Sequence, residues 1–132
     1  MRRTSVVLGL GGVCLVWLFA IGCIATQPKM YAQEIMAITA IRTILTAQTQ
    51  YRSQFGHCAG SLQELAAAGI IDAQLATGTH AGYRFTTKEC AVSAAPTIFN
   101  ESGSRTFISD QSMVIHEHYG PEAATASDPK VQ

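Results

Sequence analysis

Charge is scarce in this chain. Of its 132 residues only 14% are Asp, Glu, Lys or Arg, nine of each sign with no net charge, whereas a soluble domain carries roughly 25%. No cluster of basic residues is present, which excludes nucleic acid as a partner, because counterion release needs one. The four cysteines are too few for a dense disulfide scaffold. There is no Cys-x-x-Cys, no Cys-x-x-Cys-His for haem, no His-Glu-x-x-His, no Asp-rich loop and no glycine-rich phosphate loop after a strand. The length leaves room for one ordinary domain and none for a two-domain enzyme with a cleft between its halves. Glu64 with Asp72, or Glu117 with Glu122, could be cast as acid and base, but nothing in the sequence draws either pair into a pocket. They read as solvated surface charge, and neither a catalytic residue nor a cofactor is expected.

What is abundant is apolar. Ser5 to Ala25 reads SVVLGLGGVCLVWLFAIGCIA, 21 residues without a charge, which as a helix spans about 31 Å and matches a bilayer core of about 30 Å. Arg2 and Arg3 precede it, and basic flanks stay in the cytoplasm, so residues 1–27 are expected to be a single-pass anchor with the N-terminus inside. Gly9, Gly11 and Gly12 lie in the run without forming a GxxxG pair and read as lipid-facing. A lipoprotein is the alternative: Phe19-Ala20-Ile21-Gly22-Cys23 resembles a lipobox, with Cys23 as the candidate lipidation site. Against it, the apolar run exceeds the usual 7–15-residue core of a signal peptide and continues past Cys23.

Thr26-Gln27-Pro28-Lys29 interrupts the run, and Pro28 is expected to kink or break a helix. A second helical pattern follows from Tyr31 to Phe55. Ala37, Ile41, Ile44, Gln48, Tyr51 and Phe55 form one stripe, widened by Ile38 and Leu45, with Glu34, Arg42, Thr46, Gln50 and Arg52 opposite. One long, bent helix would thus leave the membrane and offer an apolar stripe to a covering layer, ending near Gly56. Ser61-Leu62-Gln63-Glu64 has capping-box form and opens a short helix to Gly69.

After a small, polar linker, Thr77–Gly82, the period changes to that of strands. Tyr83–Phe85, Cys90–Ala94, Thr106–Ser109 and Met113–His116 predict two successive hairpins, a four-stranded antiparallel sheet with one face to bury against the long helix. Residues 28–119 are therefore expected to be an extracytoplasmic α+β domain. Residues 120–132 lack apolar periodicity and are expected to be a disordered tail.

Cys58 follows the long helix and Cys90 opens the second strand, both on the expected outer side, where disulfides persist. A bridge would close a loop of about 32 residues and stabilise by roughly 3–4 kcal/mol; two buried free thiols are the alternative. Cys14 and Cys23 lie in the apolar run. His116 and His118 would project from one strand face, with His57 and His80 elsewhere, and they read as exposed strand-end residues and not as metal ligands.

Ala37–Gly56, Ser61–Asp72, Gly82–Thr86 and Thr106–Ile115, in this order and spacing, resemble bacterial type IV pilin-like proteins, the group that includes the pseudopilins of type II secretion. The similarity covers Pro28 to Ile115. It implies a hydrophobic helix continuing into an amphipathic one covered by a small antiparallel sheet. Pro28 matches the family's helix-bending proline, and Cys58 with Cys90 its bridge near the sheet. The start departs from the family pattern: Arg3-Thr4-Ser5-Val6-Val7-Leu8 has no cleavage glycine, and no acidic residue precedes Glu34. The resemblance implies a non-enzymatic structural or interaction protein of the bacterial cytoplasmic membrane. Its partners would be membrane lipid and the protein subunits of a pilus or secretion machine. The missing processing signals leave open a single-span accessory subunit of another membrane complex, respiratory or photosynthetic.

Overall fold

The computed structural model describes residues 2–132, with side chains from Lys29 onward. The expected span at Ser5–Ala25, and with it Cys14 and Cys23, lies outside the residues whose side chains are described. Among those that are, no helix is long and apolar enough to cross a membrane.

The architecture is α+β. One helix, α1 (Arg2–Phe55), is followed by two short helices, α2 (Leu62–Ala67) and α3 (Ala73–Ala76). Five strands then follow: β1 (Thr79–His80), β2 (Tyr83–Lys88), β3 (Ala91–Pro96), β4 (Arg105–Ser109) and β5 (Ile115–Tyr119). They form an antiparallel meander in the order β1-β2-β3-β4-β5. The stripe of α1 buries Ala37, Ile38, Ile41, Ile44 and Leu45 against Tyr83, Phe85, Val92, Ala94 and Phe107, with Leu62 and Leu65 of α2 closing the flank. Alternation along β2 and β3 puts Tyr83, Phe85, Val92 and Ala94 on the helix side and Arg84, Thr86 and Ser93 on the outer side.

Local chemistry accounts for the ends of α2. Ser61 Oγ accepts from the Glu64 amide at 3.2 Å, as the capping box requires. At the other end Gly69 adopts φ +75° while the Gly69 amide donates to Ala66 O and the Ile70 amide to Leu65 O, the Schellman pattern.

The structure departs from the sequence-based expectations at several points: α1 runs on through Pro28 without a break, and α3 is a helix the sequence did not announce. The sheet has five strands instead of four: His80 pairs with Tyr83 across Ala81 and Gly82, both at positive φ, so part of the linker becomes β1 through a two-residue turn matched to strand twist. Cys90 does not open β3. It is the second turn residue after Glu89, both again at positive φ, between Lys88 and its partner Ala91. The last strand starts at Ile115 and not Met113, because Asp110–Val114 form the connection, with Met113 at φ +64°. Phe55 is exposed and stacks on Tyr51 with ring centroids 4.4 Å apart. Lastly, the 120–132 segment is docked. Glu117 N donates to Pro129 O and Val131 N to Ile115 O, Thr106 Oγ1 donates to Glu122 O, and Ala124 is buried.

Candidate functional site

Three constellations stand out, two at opposite ends of the domain along α1 and one on the outer face of β5. Nearest the start of the described side chains of α1 is a buried ion cluster. Glu34, read as solvent-facing, lies three residues before Ala37 and seven before Ile41, which puts it on the buried stripe; it is 5% exposed. Its Oε1 accepts from the Ser104 amide at 2.8 Å and from Ser104 Oγ at 3.0 Å. Its Oε2 accepts from Arg105 Nε at 3.0 Å and Nη2 at 2.7 Å. The second Arg105 amino group, Nη1, pairs with Glu117 on β5, and the guanidinium lies 5.2 Å from the Phe107 ring centroid and 5.6 Å from that of Tyr119. Burial acting alone would lower the Arg105 pKa, but the hydrogen bonds and charges of Glu34 and Glu117 outweigh it and hold the group protonated. One arginine thus ties α1 to two strands.

Tyr83 completes this end. Its hydroxyl donates to Arg105 O at 2.8 Å, and burial foremost, then the Glu34 charge, raises its pKa well above the usual range, so it stays a donor. Gly103 makes the fit: a Cβ there would stand 2.0 Å from the Tyr83 hydroxyl.

At the opposite end of the domain, Gln48 is buried and spans the chain after α1, accepting from Ala59 N at 2.8 Å and donating to Ala59 O at 3.1 Å. Beside it Cys58 and Cys90 sit at disulfide distance, with Cα atoms 5.4 Å apart. The turn that lifts Cys90 out of β3 points it back toward the end of α1.

The third constellation lies on the outer face of β5. His116 and His118 project to the same side, as their spacing predicts, and meet the docked tail. His116 Nδ1 is 2.7 Å from Asp128 O, His118 Nδ1 is 3.2 Å from Asp128 Oδ1, and His118 Nε2 is 3.4 Å from Glu122 Oε2. His57 is exposed beside Cys58, and His80 lies on β1. Among the described residues no group of three or more His, Cys, Asp or Glu is placed to share a metal ion.

The His118 contacts carry a pH signature. Hydrogen bonding to Asp128 raises the His118 pKa from 6.5, so its contribution to tail docking is complete below that value and is lost as pH rises through the raised one. The Thr125 amide first, then His118, lowers the Asp128 pKa from 3.8; its contribution is present above 3.8 and fails as pH falls through the lowered value. Hydrogen exchange of the Val131 and Glu117 amides, relative to the β3 amides, should be slowest between these limits and accelerate as pH rises through the raised His118 value. Exchange at a constant ratio to β3 from pH 5 to 8 would show that the backbone bonds alone hold the tail.

Comparison with known proteins yields no relative. No family model, characterised protein or solved structure matches this chain.

The sequence placed Gln48 on the buried stripe without its bonds to Ala59, and the roles of Glu34, Arg105 and Glu117 were missed. The helical phase of Glu34 and the position of Arg105 two residues before Phe107, on the same strand face, were the available signals.

Proposed function

We propose that this chain is a membrane-anchored, non-enzymatic interaction protein of pilin-like form. The apolar segment holds it in the bacterial cytoplasmic membrane with the N-terminus inside, and the α+β domain docks outside on a larger assembly. The observation that carries this reading is the single helix α1, Arg2–Phe55, whose first part is the apolar run and whose later part is the spine of the domain. Anchor and domain share one element, and Glu34 and Arg105 fasten the sheet to it soon after the run ends.

The first acidic residue of the chain is Glu34, and it is committed to Arg105. It is not free to receive the amino terminus of a neighbouring subunit, the role of the glutamate in polymerising members of the resembled family. This favours a second reading, a single-span accessory subunit of another membrane complex. Protease added outside spheroplasts should remove the domain and leave a short protected fragment; complete protection overturns the orientation. Purification in mild detergent separates the two readings. Pilus or secretion components in the same particle support the first, a stable place in a respiratory or photosynthetic complex supports the second, and a lone monomer argues against both. The intact mass of the purified chain tests the alternative of lipidation at Cys23, which adds a diacylglycerol and removes the preceding residues.

A further inference from the structure

Eight large apolar side chains are exposed among the described residues, and their distribution is lopsided. Tyr31, Ile35 and Met36 lie on the first turns of α1 whose side chains are described. Ile98 and Phe99 lie in the β3–β4 connection, which is beside those turns: Ser104 at its end binds Glu34, and Gly82, whose carbonyl accepts from the Thr97 amide, packs against Gln33. Tyr119 is at the same level, paired with Arg105. Only Phe55 and Met113 are elsewhere, at the far end of the domain. Tyr31 is 62% exposed, Ile98 56% and Tyr119 68%, so these are not the margins of a core.

We infer that this end of the domain rests on the lipid headgroup surface, with Tyr31, Ile98, Phe99 and Tyr119 as interfacial anchors. The inference rests on the proposed anchor. Ala25, the last residue of the apolar run, is six positions before Tyr31, a rise of about 9 Å along a helix, which brings Tyr31 to the outer margin of the headgroup layer. Tyrosines that pair an apolar ring with a polar tip suit that layer. The exposed Lys29 suits its phosphates. Glu34, Arg105 and Glu117 pair with one another away from solvent, one guanidinium between two carboxylates, while Glu101 in the loop and Glu122 beyond Tyr119 are the exposed acids at this end. The far end instead presents Arg52, Lys88, Glu89 and Asp110 and suits water.

The single tryptophan, Trp17, lies within the apolar run and makes the test direct. The full chain is reconstituted in vesicles of phosphatidylethanolamine and phosphatidylglycerol, unmodified and as two reporters lacking the native tryptophan, Trp17→Phe with Ile98→Trp and Trp17→Phe with Met113→Trp. Both reporter positions are exposed, so neither substitution enters the core. Residues 31–55 rise about 36 Å, so a headgroup nitroxide should quench the reporter at position 98 at least about twofold more than that at 113, which lies beyond the interface. Equal quenching overturns the inference. So does a blue-shifted reporter at 98 that lipid nitroxide does not touch, which assigns the patch to a protein or a second copy of the chain. In the unmodified chain, bromine in the acyl region should quench Trp17. If it does and position 98 is silent, the surface inference alone fails; if it does not, the anchor fails and takes the inference with it.

Discussion

Replacing Arg105 with Met is expected to lower the unfolding free energy by about 3–5 kcal/mol, because it leaves Glu34 charged and buried without its partner. The Ser104 amide and hydroxyl still hold Oε1, but Oε2 loses both of its donors. Lys at this position should not restore the loss, since one ammonium cannot donate from Nε and Nη2 to Glu34 while Nη1 reaches Glu117. Adding Glu34→Gln to Arg105→Met should recover much of the stability by removing the stranded charge, a coupling that a double-mutant cycle measures. Urea titration of the full chain in detergent, followed by circular dichroism, reads all three variants. A loss below about 1 kcal/mol for Arg105→Met would place the pair among weak surface bridges and remove the argument that it fastens the sheet to α1.

The second large effect concerns Cys58 and Cys90. A bond between them closes a loop spanning 32 positions, for which the chain-entropy relation gives about 3–4 kcal/mol. Cys58→Ser should therefore lower the melting temperature under oxidising conditions and change it little in the presence of reductant, where the unmodified chain is also open. The comparison connects fold to compartment, because such a bond persists outside the cytoplasm. Two free thiols in protein taken from intact cells under alkylating conditions would oppose both the bond and the external location.

How far the sequence could be read varies with the kind of interaction. The α1 stripe was legible because burial repeats with the helical period: Ala37, Ile41, Ile44 and Gln48 are all buried. Phe55 has the right phase and is exposed nonetheless, since periodicity says which way a residue points and not where the covering sheet stops. The β1 strand has no apolar alternation, being only Thr79 and His80; it exists because Ala81 and Gly82 turn the chain back onto β2, a signal lodged in dihedral angles. The tail buries little beyond Ala124 and Val131 and is held by hydrogen bonds to Thr106, His116 and His118, which leave no periodic trace. Glu34 and Arg105 are 71 positions apart, and each alone resembles an ordinary surface charge.

The docked tail bears on how neighbours can attach. An unpaired outer strand is a template for another chain, and this sheet offers almost none. On one side β1 has two residues. On the other, residues 129–131 run along β5, with Lys130 bridged to His116, so β5 is not the outermost strand. The segment that takes its place carries Pro129, which has no amide hydrogen to donate, and Lys130, whose charge opposes strand stacking. Backbone-to-backbone annexation is thereby hindered along β5 and beside the start of β2, which β1 covers, so side-chain recognition is favoured as the way a neighbour attaches to this domain.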